Sequence, residues 1–190
     1  LIAQIKAAPP YRPTSFEMSE LESARNAAVL WLMYPNLEGE IEGVLIERAE
    51  YDGVHSKQVG MPGGEMELSD TDYIDTALRE CREELGIAIP RENVLGALSP
   101  LYIPPSNFYV RPYVAWLPTC PVWSPDEREV SKVLGCKMSY LSNKETWQSY
   151  EVNGMKVPGF LLESRLVWGA TAMMIAELME CWKLPDTFAE

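Results

Sequence analysis

Residues 63–87 read Gly-Gly-Glu-Met-Glu-Leu-Ser-Asp-Thr-Asp-Tyr-Ile-Asp-Thr-Ala-Leu-Arg-Glu-Cys-Arg-Glu-Glu-Leu-Gly-Ile: a glycine pair, a polar loop and one well-specified helix. Ile74, Ala77, Leu78, Cys81 and Leu85 fall at the i, i+3, i+4, i+7, i+11 positions of a buried stripe. The pattern predicts a helix over 72–85. Ser69 or Asp70 can cap its start, and Gly86 is placed for a left-handed C-terminal residue. Glu80, Glu83 and Glu84 crowd the last turns, where the helix dipole disfavours negative charge. Their spacing lets the three carboxylates converge on one point. Two such charges about 5 Å apart at an effective dielectric near 20 repel by roughly 3 kcal/mol, whereas a good intrahelical pair returns only about 0.2–0.5 kcal/mol. A cation among them reverses that sign. The competing reading is a solvated acidic face relieved by Arg79 and Arg82.

The run Arg79-Glu80-Cys81-Arg82-Glu83-Glu84-Leu85-Gly86-Ile87 resembles the core of the Nudix box, Arg-Glu-apolar-x-Glu-Glu-x-Gly-apolar, at every fixed position. Pro62-Gly63-Gly64 resembles the glycine loop that opens the box. Fifteen positions lead from Gly64 to Arg79, one more than the box usually has. The box's first glutamate therefore falls on Asp70 or Thr71, and the partner of Arg79 is open between them. Upstream, Arg48-Ala49, Gln58-Val59 and Met61-Pro62-Gly63-Gly64 resemble the extra motif of the coenzyme A pyrophosphatase branch. Gly53, Lys57 and Met61 depart from it, standing where an arginine, a glycine and a phenylalanine are usual. The later run Val167-Trp168-Gly169-Ala170-Thr171-Ala172 also looks like this branch.

The resemblance implies a single Nudix hydrolase domain over 1–190, an α/β/α sandwich with a mixed central sheet. It implies Mg²⁺ or Mn²⁺ held by Glu80, Glu83, Glu84 and the backbone carbonyl of Gly64, in keeping with the preference of hard cations for oxygen. The implied reaction is hydrolysis of the pyrophosphate in coenzyme A or a derivative, giving adenosine 3′,5′-bisphosphate and a 4′-phosphopantetheine fragment. Glu83 is expected in catalysis as well as at the metal. Glu129 resembles the later-loop glutamate that serves relatives as general base, with Glu127 second and ordinary loop charge as the alternative. The planar fork of Arg79 suits orienting a box carboxylate. Arg48 and Lys57 are candidates for a substrate phosphate, the alternative being surface solubility. Tyr102, Phe108 and Tyr109 are adenine-stacking candidates or strand core. His55, the one histidine, is more often structural than catalytic. A pyrophosphatase for another nucleoside diphosphate derivative, such as ADP-ribose or a dinucleotide, is the alternative enzyme. A non-catalytic nucleotide sensor is disfavoured because such proteins typically lose box carboxylates, and all three remain.

The rest of the chain sets bounds. At 190 residues and 47% hydrophobic content it suits one domain with a sizeable core. A net charge of −12 argues against a nucleic-acid or anionic-membrane surface. It also requires metal or local cations to invert the potential for an anionic small-molecule substrate. Cys81, Cys120, Cys136 and Cys181 lack metal-site spacing and read as unpaired thiols in a reducing, cytoplasmic setting. No apolar run reaches membrane-spanning length, and residues 1–8 lack a signal-peptide core. Residues 1–20 read as an N-terminal extension; the chain opens on Leu1, so the natural N-terminus need not be included. Strands are predicted over 27–33, 43–47, 94–103, 109–117 and 130–137. Two more, 147–152 and 155–161, flank Asn153-Gly154, the pair favoured in a type I′ hairpin. A closing helix over 170–182 places Met173, Met174, Leu178 and Met179 in the core. A homodimer is an expectation of the family resemblance.

Overall fold

β1 carries the architecture, because its residues from Ala27 to Tyr34 alternate between two buried faces. Ala27, Trp31 and Met33 enter one apolar cluster, while Ala28, Leu30, Leu32 and Tyr34 enter another on the opposite side. A strand buried on both faces must have cover on both. The structure, a computed structural model, describes residues 2–10, 12, 13, 16–50 and 58–182. Its elements run α1 (Ile2–Lys6), α2 (Met18–Glu22), β1 (Arg25–Pro35), β2 (Ile41–Arg48), β3 (Val59–Gly60), β4 (Gly63–Glu65), α3 (Tyr73–Leu85) and β5 (Val94–Ala97). They continue with β6 (Leu101–Ile103), β7 (Phe108–Trp116), β8 (Val130–Lys137), α4 (Met138–Ser142), β9 (Gln148–Val152), β10 (Met155–Leu162), β11 (Arg165–Trp168) and α5 (Gly169–Trp182).

The main sheet has the order β3-β2-β1-β7-β5, with β4 added to β1, β6 to β7 and β8 to β2. β1 and β7 run parallel from Arg25↔Phe108 to Met33↔Trp116, and their other partners are antiparallel, so the sheet is mixed as expected. Ala77, Cys81 and Leu85 of α3 cover one face. Met173, Met174, Ile175, Leu178 and Met179 of α5 cover the other. The result is the α/β/α sandwich. α1 packs on α5: buried Gln4 donates from Nε2 to the Ser99 carbonyl at 3.0 Å and to Glu177 Oε2 at 2.7 Å. A second sheet, β11-β10-β9, lies at the cavity described below.

Two expectations need correction. The strand expected over 94–103 is two strands, because Pro100 has no N–H and Ser99 gives its own N–H to Glu177 at 3.0 Å instead of a ladder. The cap of α3 is Asp72, which accepts from the N–H groups of Ile74 and Asp75 at 2.9 and 3.0 Å; Asp70 is engaged elsewhere. Gly86 ends the helix with φ of 69° as expected. The Asn153-Gly154 turn has both residues at positive φ, 51° and 76°, which a type I′ turn demands. All four cysteines are unpaired thiols. Among the described residues no helix is long and apolar enough to cross a membrane.

Candidate active site

The glycine loop and the acidic helix meet through one hydrogen bond. Gly63 N–H donates to Glu84 Oε2 at 2.8 Å, tying β4 to the last turn of α3. Gly63 has φ of 146°, and a Cβ there would strike the Ala28 carbonyl and Val29, so a side chain is doubly excluded. Gly64 is bare for another reason. A Cβ on it would sit 2.6 Å from Glu80 Cδ and Oε1.

Glu84 is 1% exposed, and its Oε1 lies 3.1 Å from Arg48 Nη1 without the alignment of a hydrogen bond. The pair is coulombic rather than directional. Arg48 also donates from Nη2 to the Gly63 carbonyl at 2.8 Å. Burial pushes the Glu84 carboxyl up to about 7, with the charges of Glu80 and Glu129 adding to the rise and Arg48 and the Gly63 N–H opposing it. Burial raises the Glu80 carboxyl as well, against the pull of Arg79.

Arg79 organises the outer half of the cluster. Its Nε and Nη2 donate to the two oxygens of Asp70 at 3.0 and 3.1 Å, Nη1 donates to Glu80 at 2.9 Å and Glu83 at 2.8 Å, and Nη2 reaches the Glu65 carbonyl at 2.9 Å. Asp70 is therefore the partner that the spacing leaves open. The Thr71 N–H donates to Asp75 at 3.3 Å. Aspartate is one methylene shorter than glutamate, and the additional loop residue makes up the reach. The guanidinium beside Asp70 holds its carboxyl down at about 2.

Glu80, Glu84, Gly64, Arg48 and Glu129 line one cavity of about 940 Å³. Glu83 does not line it: its carboxylate is half-exposed and drawn out to Arg79. The three-way convergence expected from spacing is not present. Among the described residues no three His, Cys, Asp or Glu side chains stand together as a ready metal cage. What is present fits a hard divalent cation nonetheless. A buried carboxylate oxygen lacks a hydrogen bond, a second carboxyl is raised by burial, and the missing Cβ of Gly64 lets that carboxyl lie directly against the loop backbone.

Residues 24–145 match the NUDIX domain family, well over half of the chain. The chain belongs to the Nudix family. It is 35% identical over 129 residues to human mitochondrial coenzyme A diphosphatase NUDT8, an alignment covering 64% of this chain and 54% of that protein. The chain thus spans about half the length of that relative. It is 31% identical over 141 residues to the uncharacterized Nudix hydrolase NudL of Yersinia enterocolitica, covering 72% of each. The crystal structure of a MutT/nudix family protein from Enterococcus faecalis superposes with a TM-score of 0.59 at 16% identity, covering 87% of this chain and 62% of that one. That likeness establishes the Nudix fold.

With the Nudix box so placed, the remaining candidates sort by position. Glu129 is exposed and lines the cavity, whereas Glu127 is exposed away from it. The 117–129 loop is docked on α3, since Ser124 N–H and Asp126 N–H donate to the carbonyls of Leu85 and Glu84 at 3.0 and 3.2 Å. Arg48 is in the site but faces Glu84 and Gly63. Lys57, His55 and Gly53 lie outside the described residues. Of the three aromatic candidates Phe108 lines the cavity; Tyr102 is buried with its hydroxyl on Asn107, and Tyr109 stacks with Arg111. Thr171 and Trp168 line the cavity too, and Thr171 Oγ1 donates to the Val59 carbonyl at 3.3 Å. The sequence reading missed one wall. Pro9, Arg12, Pro13 and Phe16 of the N-terminal extension line the same cavity, outside the Nudix match. The available signal was the run of prolines at 9, 10 and 13, which stiffens a segment without making it a helix or strand.

Proposed function

We propose that this chain is a divalent-metal-dependent pyrophosphohydrolase acting on coenzyme A or a derivative, releasing adenosine 3′,5′-bisphosphate and a 4′-phosphopantetheine fragment. The observation that carries the reading is the continuity of the cavity. It joins the buried carboxylates of the box to a mostly apolar chamber of about 940 Å³, at the upper end of the ~300–1,000 Å³ usual for ligand sites. A small phosphate ester would leave most of it empty, whereas a dinucleotide-sized anhydride with an organic arm fills it. The named activity of the human relative supports the same substrate class.

Glu80 and Glu84, with Glu83 and the Gly64 carbonyl, are the groups that would hold Mg²⁺ or Mn²⁺. Such a cation supplies positive charge against the pyrophosphate and acidity to the nucleophilic water. The chain's own residues do the rest. Arg79 fixes Glu80 and Glu83 by charge-assisted hydrogen bonds and is itself fixed by Asp70. Arg48 and the Gly63 N–H offset the buried charge of Glu84. Glu129, exposed on the cavity wall, is the proposed proton acceptor, with bulk water at hand to carry the proton away.

The test is product analysis with Mg²⁺ or Mn²⁺ on coenzyme A, its thioesters and its oxidised form, beside ADP-ribose and a dinucleoside polyphosphate. Appearance of adenosine 3′,5′-bisphosphate at the highest kcat/KM of the panel is expected. Hydrolysis of ADP-ribose or the dinucleotide with none of the coenzyme A compounds favours the alternative substrate class. The methionine at position 61, buried on the cavity wall where the branch motif has phenylalanine, is the observation that keeps that alternative in the panel.

A further inference from the structure

The cavity collects three arginines in a chain of net charge −12: Arg48, paired with Glu84 of the Nudix box, and Arg12 and Arg25. Arg25 opens β1 with its guanidinium 4.3 Å from the Phe108 ring centroid. Arg12 stands 5.3 Å from the centroid of Phe16. All four side chains line the cavity that contains Glu80 and Glu84. A guanidinium stacked on a ring has its plane fixed and its N–H edge turned to acceptors in that plane. Arg25 uses Nε and Nη2 on the Glu65 carboxylate, and among the described residues nothing takes the Nη1 hydrogens. Arg12 Nη2 donates to the Tyr102 carbonyl, and Phe16 meets the Tyr102 ring edge-on at 4.9 Å. The N-terminal segment therefore delivers its Arg–Phe pair to a fixed place on the sheet.

We propose that Arg25, with Arg12, determines specificity by binding a phosphomonoester that the substrate carries in addition to its pyrophosphate. The inference rests on the pyrophosphatase reading above and deepens it. Coenzyme A bears such a phosphate on its ribose 3′-hydroxyl, whereas dephospho-coenzyme A and ADP-ribose do not. With its Nε–Nη2 edge on Glu65, the Arg25 guanidinium still turns its Nη1–Nη2 edge outward, and such an edge matches a phosphate dianion with two parallel hydrogen bonds.

Two ligands that differ only in that phosphate decide the matter without turnover. Calorimetric titration of the metal-loaded protein compares adenosine 3′,5′-bisphosphate with adenosine 5′-monophosphate. The wild type is expected to bind the bisphosphate about tenfold more tightly. Arg25→Ala and Arg12→Ala are each expected to bring that preference below about threefold, with Arg25→Lys intermediate because charge remains and the fork is lost. In turnover, the ratio of kcat/KM for coenzyme A to that for dephospho-coenzyme A falls by a similar factor in Arg25→Ala, chiefly through KM. Arg25 is half-exposed at the first residue of its strand, so the variant folds. A wild type without the preference, or an Arg25→Ala protein that keeps it, overturns the subsite whatever the chain hydrolyses. A preference that disappears with Arg25 upholds the subsite even if coenzyme A is not cleaved, and in that case only the substrate reading falls.

Discussion

Arg48 Nη1 stands 3.1 Å from Glu84 Oε1 yet is not aligned to hydrogen-bond it, so the charge of the buried carboxylate is offset in part while one oxygen is left without a hydrogen bond. Removing the cation should expose the full cost of burying that charge. Arg48→Met is expected to destabilise the metal-free protein by on the order of 3 kcal/mol, the usual penalty for orphaning a buried ion. Urea denaturation at pH 8 in chelator measures it. In the Glu84→Gln background the same substitution should cost far less, since no buried charge is left to orphan; an equal cost in both backgrounds would show that Arg48 acts by packing alone.

Glu84→Gln preserves size and the acceptor for the Gly63 N–H, so folding should survive within about 1 kcal/mol. Turnover should fall by ~10³-fold or more, because several kcal/mol of charge stabilisation are lost and each 1.4 kcal/mol is a factor of ten. The rise in Tm on adding Mn²⁺ should shrink with it. A variant with unchanged rate removes Glu84 from the metal site.

The two glycines of the loop should fail in different ways. Gly63→Ala meets backbone at positive φ and is expected to lose roughly 3 kcal/mol of stability. Gly64→Ala meets first the end of the Glu80 side chain, which can swing aside. Its stability should change by less than about 1 kcal/mol while turnover drops at least tenfold, through a displaced carboxylate. Thermal melts and kcat on the two purified variants separate the cases, and a Gly64→Ala enzyme of normal rate would release Glu80 from its assigned role.

Acid should weaken the Asp70–Arg79 pair. The folded carboxyl titrates at about 2, below its ordinary 3.8, so between those values the unfolded chain binds more protons than the native one. Stability from this pair is complete above about pH 4 and declines as pH falls toward 2. Asp70→Asn should show a flatter stability profile across that window, read by urea midpoints at half-unit steps. Identical slopes in the two proteins would contradict the assignment.

Much of this was legible in the sequence because it depends on period and on local φ. The stripe on α3, the positive-φ turn at Asn153-Gly154 and the methionine face of α5 needed no tertiary information. Asp70 against Asp72 was different. Both are acidic and stand before the same helix, and only the position of Arg79 decides that one caps while the other pairs. Glu83 shows the same limit: helical spacing brings it near Glu80 and Glu84, but that spacing does not show that its i, i+4 partner Arg79 takes up its carboxylate. The break at Pro100 depended on Glu177, distant in sequence, taking the Ser99 N–H. Phe16 and Arg12 had no periodic pattern to announce them, since the wall they form is made by docking on Tyr102.

The packing of α1 on α5 through Gln4 and Glu177 bears on how the protein is made. Synthesis runs from the N-terminus, so residues 9–16 leave the ribosome long before the helix that anchors the segment behind them. The region matched to the Nudix domain can gather its sheet and α3 while the cavity is still open on one side. Arg12 and Phe16 dock on Tyr102, but Thr171, Met173 and Met174 of α5 line the same cavity, so a nascent chain carrying every box glutamate still has no complete chamber until α5 has emerged.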